Sequence, residues 1–479
     1  MRFLSSTAAV ALLTVSLAAC SMVPDYFKPE VKAPAAWDSR QDAVNIWPDA
    51  NWWTGFGAPE LDRLINEARE NNTDLRAAVA RIRQAEAQAK ISGAALYPTL
   101  GTDAGASRTS TGRQTSSSTS TGTNRSGSTI RNNYSANLTA GYQVDLFGGN
   151  RATADAALTR LDSSRFDRET VAITLYADIA NTYFQLLSLR DRIRLANDTL
   201  RSAEGILGLL ETQQRNGIIT EYEVATQRAG VANQRASLSV LDQSERQTLD
   251  ALAVLLGRNP QGFRVEGNTL AGLTLPPLAA GLPSELLLRR PDLQKAEADL
   301  RAANFDIGAA RAARFPSLDL TGRAGTSSDA VRNLFDPGTM IYSIAAGLTA
   351  PIFEGGRLEG GEELSRARKD ELVEAYRGAI LSAFRDTEDA LGATVNTGRQ
   401  SGFASEAYRQ ANEAYRVVEM RYRAGTVGFL ELLDAQRSVF VANDTSVQAM
   451  LGRLSANVDL YKALGGGWDG SVIGPLAQK

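Results

Sequence analysis

The chain is written twice, and no other feature restricts its folds as much. Asn72-Thr-Asp-Leu-Arg-Ala-Ala runs on to Leu96-Tyr-Pro-Thr-Leu100, and Arg290-Pro-Asp-Leu-Gln-Lys-Ala runs on to Arg314-Phe-Pro-Ser-Leu318. The two stretches align without a gap, so Asp74 matches Asp292, Arg83 matches Arg301, Pro98 matches Pro316 and Leu100 matches Leu318. Later landmarks keep the same order. Phe147 to Arg151 pairs with Phe353 to Arg357, Arg215-Asn-Gly217 with Arg423-Ala-Gly425, and Leu256-Gly257 with Leu464-Gly465. A repeat of this length is one structural plan used twice, so whatever is argued for one half must serve the other.

Each half predicts a helix, near 60–92 and again near 290–313. A Tyr/Phe-Pro breaker then opens a strand, Leu100 to about Ser107 and Leu318 to about Gly325. After a loop comes a second strand. In the first copy Tyr134, Ala136, Leu138, Ala140, Tyr142, Val144 and Leu146 alternate with polar or small residues. In the second copy Tyr342, Ile344, Ala346, Leu348, Ala350 and Ile352 do the same. Such alternation fits a strand with lipid on one face and water on the other, and it also fits a soluble sandwich. The Ser/Thr/Gly-rich stretch between the first strand pair, Ser107 to Asn133, reads as a flexible solvated loop, longer than its counterpart Thr326 to Met340.

A very long helix follows each strand pair and turns at Arg-x-Gly into a shorter return helix. Arg151 to about Arg215 contains no proline and would extend roughly 100 Å at 1.5 Å per residue. Ile179, Leu186, Ile193, Leu200 and Leu207 recur every seventh residue, with Leu189, Ala196, Ala203 and Leu210 three places later, which is coiled-coil spacing. The second copy, Arg357 to about Arg423, has fainter heptads.

The amino terminus reads as an export signal over 1–19: Arg2, a ten-residue apolar core from Ala8 to Leu17, then Leu17-Ala18-Ala19-Cys20. That ending resembles a bacterial lipoprotein cleavage site, with Cys20 as the acylated first residue of the mature chain. Beyond Cys20 no apolar run is long enough for a transmembrane helix, so any membrane crossing must be made by strands. Histidine is absent and Cys20 is the only cysteine, which removes the commonest general base and any thiolate zinc site. No phosphate loop and no Gly-x-Ser-x-Gly elbow occurs. Neither an enzyme nor a metal or cofactor is expected, and a formal net charge of −3 gives no reason to expect a nucleic-acid partner.

Four strands per chain cannot close a barrel, and open edges in a bilayer leave backbone groups unpaired. Copies must therefore pool strands. Two would give eight, filled by side chains; three would give twelve and leave a passage.

Trp52 to Phe56, Pro59 to Ile65, Gly281 to Leu293 and Tyr461 to Trp468 resemble the TolC-type outer-membrane efflux lipoproteins, most closely the NodT/OprM/CusC branch. The resemblance implies a mixed α and β membrane protein: a homotrimer with a twelve-stranded outer-membrane β-barrel that continues into a twelve-helix periplasmic α-barrel. It implies an extended, lipid-anchored arm over 20–59, repeats over 60–257 and 290–465, a linker over 258–289 and a tail over 466–479. It places 107–133 outside the cell, and it implies a periplasmic adaptor and an inner-membrane RND-type transporter as partners. By the same resemblance Asp434 is the constricting aspartate of the periplasmic mouth, Glu431 a second acidic ring and Leu430 an apolar constriction, while Tyr422 and Glu223 link neighbouring helices in the closed state. Glu223 also fits a helix capping box with Thr220. Val427 stands where the best-known member has a latch arginine. Arg215, Gly217, Arg423 and Gly425 are implied adaptor contacts, with each glycine equally readable as a helix C-cap. The alternative is a periplasmic adaptor or coiled-coil scaffold lipoprotein, which would lack the duplicated strand pairs.

Overall fold

A computed structural model describes residues 21–38, 48–111, 129–277, 281 and 283–468. The expected signal 1–19, Cys20, the middle of the 107–133 loop and the tail after Trp468 lie outside the described residues. The helices are α1 (Pro59–Asn71), α2 (Thr73–Ala94), α3 (Gly149–Arg215), α4 (Glu221–Leu255), α5 (Pro283–Arg289), α6 (Pro291–Ala312), α7 (Arg357–Arg423) and α8 (Phe429–Ala463). The strands are β1 (Thr99–Thr111), β2 (Thr129–Val144), β3 (Ser317–Ser328) and β4 (Met340–Thr349). Three pairs of corresponding helices match in length: α2 and α6 have 22 residues each, α3 and α7 have 67, and α4 and α8 have 35, whereas α1 has 13 and α5 has 7. No helix among the described residues is long and apolar enough to cross a membrane.

Two compact units form, and each draws on both halves of the sequence. One takes the described parts of 1–28 with 84–161 and 298–373; the other takes 29–83, 162–297 and the described parts of 374–479.

The first unit contains one antiparallel sheet of order β1-β2-β3-β4, joined across the two halves by β2 and β3. Its register puts Leu100 opposite Ala140, Leu138 opposite Ala324, and Tyr342 opposite Ala324 on the next strand. Opposed residues share a face, so the apolar members of all four strands gather on one side. The other side carries Asp103, Asn137 and Arg323, with Asp103 accepting from Asn137 and Arg323 at 3.0 Å each. The strands differ in extent from the sequence reading. β1 continues to Thr111 and β2 begins at Thr129, so both ends of the expected 107–133 loop are strand, because their backbones pair from Ser107–Asn133 out to Thr111–Thr129. β4 stops at Thr349, before Pro351, and leaves Ile352 outside. Proline cannot donate to a strand ladder.

Beside the sheet, Glu362 of α7 is buried and accepts from Arg311 at 2.9 Å, Arg314 at 2.8 Å and Arg366 at 2.6 Å. These three guanidinium bonds, Arg366 first, hold its carboxyl down at about 2. Residues 22–24 run over the same unit. The Met22 amide donates to Phe147 O, and the Asn304 amide donates to Pro24 O at 2.7 Å.

In the second unit the arm expected to be extended through residue 59 folds at its end. Residues 52–56 form a 3-10 turn that buries Trp52, Trp53 and Phe56. Trp52 stacks on Tyr461 at 4.7 Å, Trp53 meets Tyr176 edge-on and Phe56 meets Phe184. Three large aromatic side chains in five residues bury too much apolar area to remain in water.

The single helix expected near 60–92 is broken at Asn72, between α1 and α2. The Asn72 carboxamide accepts from the Asp74 and Leu75 amides at 2.9 Å each and donates to Leu255 O, the last carbonyl of α4, at 2.8 Å. The second copy breaks at Arg290 before Pro291, and Arg290 donates to Ala463 O, the last carbonyl of α8, at 3.2 Å. Each break therefore caps the return helix of its own half. Gly257 and Gly465 permit this approach, since a β-carbon on either would overlap Asn71 O or Arg289 O, and both have positive φ.

Candidate gate at the helix turns

Both helical hairpins end in the same C-terminal cap. Gly217 N donates to Gln214 O and Ile218 N to Gln213 O; Gly425 N donates to Tyr422 O and Thr426 N to Arg421 O, all at 2.9 Å. This is the Schellman pattern, and it requires the left-handed φ of 72° at Gly217 and 74° at Gly425.

The return helices start differently. α4 begins with a capping box, in which the Glu223 amide donates to the Thr220 side chain and the Thr220 amide donates to the Glu223 carboxylate at 3.1 Å; the Thr220 hydroxyl also donates to that carboxylate oxygen. The Thr220 hydroxyl bond is the main cause that lowers the Glu223 carboxyl below the usual carboxylate range. Gly428 starts α8 and offers no side chain; only Glu431 places negative charge in the first turn. Thr426, just ahead of it, turns its hydroxyl back to Arg421 O at 3.0 Å.

A small apolar cluster clasps the two turns together: Leu210, Val224 and Phe429 are buried, and Ile206, Tyr422 and Leu433 pack against them. Burial raises the Tyr422 phenol, and the negative charge of Glu223 raises it further. Tyr422 and Glu223 lie within electrostatic reach of each other in one chain, but Glu223 spends its hydrogen bonds on Thr220. Val427 is half-buried in the second turn.

The first turns of α8 divide into two faces. Phe429, Leu432 and Gln436 are buried, while Leu430, Glu431 and Asp434 are exposed, Leu430 at 62%. Spacings of three and four residues put the exposed trio on one stripe. This stripe presents two carboxylates beside one leucine to whatever it faces. Arg215 and Arg423 are exposed but folded onto their own helices: Arg215 donates to Glu211 O at 3.3 Å, and Arg423 pairs with Glu419 at 2.6 Å. Around Gly217 and Gly425 the space is open. Among the described residues no cluster of three or more acidic, histidine or cysteine side chains is placed to hold a metal ion.

Two polar features of this region went unread in the sequence. Gln227 is buried on the stripe of Val224 and Val231, and Gln436 is buried on the inner face of α8. Arg192 of α3 grips Asp444 of α8 through two bonds, at 2.6 and 3.4 Å. A glutamine at a core position of a heptad was the available signal for the first.

The family model described as "Outer membrane efflux protein" matches residues 64–258 and 282–466. The chain is 42% identical over 459 residues to the pyoverdine export outer membrane protein OpmQ of Pseudomonas putida, covering 95% of this chain and 96% of that protein. It is 33% identical over 479 residues to the toluene efflux pump outer membrane protein TtgF of the same species, covering 98% of each. The open-state crystal structure of the Neisseria gonorrhoeae MtrE outer membrane channel superposes with a TM-score of 0.84 at 33% identity, covering 94% of this chain and 98% of that one. Paired strands with one apolar face, long hairpins closed by matching glycine caps and a family model that matches both stretches agree, and the chain belongs to the outer membrane efflux protein family.

Proposed function

We propose that three copies of the chain form the exit duct of a tripartite efflux system: a twelve-stranded outer-membrane barrel continuing into a twelve-helix periplasmic tube. One observation carries this reading. β1 and β4 are the edges of the four-stranded sheet, without a partner among the described residues, and every residue of β4 is exposed. A sheet left open in this way needs neighbours, and pairing β4 of one copy with β1 of the next removes every edge. Three copies leave a passage where two would not.

In that assembly Leu430, Glu431 and Asp434 form an apolar ring and two acidic rings at the periplasmic mouth, which draw cations toward a narrow passage. The turns at Arg215 to Gly217 and Arg423 to Gly425 meet the periplasmic adaptor, and an inner-membrane RND-type transporter drives transport. Cys20 carries the lipid. Ser21, the first described residue, lies beside Gly148 just after β2, which would set the acyl chains near the strand ends. The pyoverdine and toluene exporters among the relatives support small organic molecules as cargo.

The test is the mass of the Cys20→Ala protein. It should still require detergent and run as three protomers. A water-soluble monomer would end the duct reading.

A further inference from the structure

Behind the exposed stripe of α8 lies a cavity of about 170 Å³, walled by Ala203 of α3, Gln227 and Gly230 of α4, and Leu433, Gln436 and Phe440 of α8. A seam between coiled-coil hairpins is ordinarily dry and interlocked. Gln227 is 1% exposed here. Its Nε2 donates to Ala203 O at 2.9 Å, which fixes the amide, because the flipped group would set oxygen against oxygen. No protein group among the described residues donates to Gln227 Oε1. Gln436, 7% exposed, donates to Ser202 Oγ at a long 3.5 Å. The cavity is roomy enough for water, which needs about 10–15 Å³ of such space, and its wall offers polar partners of the kind that buried water needs.

We infer that this seam is a hydrated joint, in which water donates to Gln227 Oε1 and bridges toward Gln436. Helix α8 is then seated on α3 and α4 through exchangeable water rather than through interdigitated apolar side chains. Water-mediated bonds re-form in new geometry, whereas close-packed side chains resist sliding. Two dry or charged fasteners flank the joint: the Leu210–Val224–Phe429 cluster toward the turns and the Arg192–Asp444 pair farther along α8. Between them α8, which carries Leu430, Glu431 and Asp434, has its cheapest place to rotate. The link to gating rests on the mouth proposed above; the hydration does not.

Two measurements test this. A crystal structure of the trimer at a resolution that shows ordered solvent should place water within hydrogen-bonding distance of Gln227 Oε1. An empty seam, or Gln436 or Arg437 donating directly to that oxygen, overturns the joint. In planar bilayers, Gln227→Leu combined with Gln436→Leu should shorten channel open time about fivefold, the factor one neutral hydrogen bond of about 1 kcal/mol sets. Gln227→Met alone should act in the same direction and disturb the fold less. Unchanged opening in both variants overturns the coupling to gating. If Asp434→Ala is equally silent, the mouth reading has failed and not the joint.

Discussion

Asp434 stands on the open face of α8, with its carboxylate in solvent and Leu430 and Glu431 beside it. In a threefold ring such carboxylates repel one another and gather cations, so removing one per chain lowers both effects. Asp434→Ala should therefore raise the conductance of the purified channel and weaken block by multivalent cations. Unchanged conductance and block would take Asp434 out of the gate. Glu362 is the opposite kind of carboxylate, buried and held by three arginines. Its folded value lies below its unfolded one, so its contribution is complete above the ordinary carboxylate range and fades as pH falls toward about 2. Glu362→Gln should lose about 2 kcal/mol at neutral pH once screening of the half-exposed arginines is allowed for. The melting temperatures of the two proteins should converge in acid; an equal gap at pH 7 and at the acid limit would exclude this ion cluster as the cause. Asp434 was singled out by the resemblance of its run, Leu430 to Arg437, to a family segment. Glu362 could not, since its partners Arg311 and Arg314 are 51 and 48 residues away.

At the scale of elements, positive-φ glycines separate by what surrounds them. A β-carbon at Gly217 meets open space, whereas one at Gly257 collides with the backbone at Asn71. Gly217→Ala should cost only the left-handed strain, about 1 kcal/mol, while Gly257→Ala should cost at least about 3 kcal/mol, since strain and overlap add. Urea unfolding of the two variants gives the comparison, and similar losses would show that the approach of α4 to the α1–α2 break is slack. The heptads and Arg-x-Gly turns of the long helices were legible because period and cap are local properties of the chain. The break at Asn72 was not. Helix-compatible residues flank it on both sides, and its meaning comes from Leu255 O, which lies 183 residues away. The hairpin between β1 and β2 was misjudged for a related reason. Ser, Thr and Gly read as loop until a partner strand supplies their hydrogen bonds.

For the whole molecule, the decisive fact is a sheet shared between the two halves and left open at β1 and β4 among the described residues. β2 and β3 pair across the repeats, so neither half owns a complete structural unit. Each unpaired backbone group at β1 or β4 would cost several kcal/mol in hydrocarbon, more than a monomer of marginal stability can bear. This is why the trimer prediction for Cys20→Ala belongs to this scale: acylation changes where the protein is held, while strand pairing decides whether it can exist in lipid at all.

By itself the sequence determined the duplicated plan, the two-sided strands, the long proline-free helices and the residues that turn them, because periodicity and glycine stereochemistry act over a few neighbouring residues. Tertiary structure alone decided that β2 joins β3, that Trp52, Trp53 and Phe56 fold into a core, that Glu362 collects three arginines, and that Gln227 is buried with no protein donor to its side-chain oxygen among the described residues. These depend on which distant groups share a low-dielectric space, and composition or spacing along one chain does not encode that proximity.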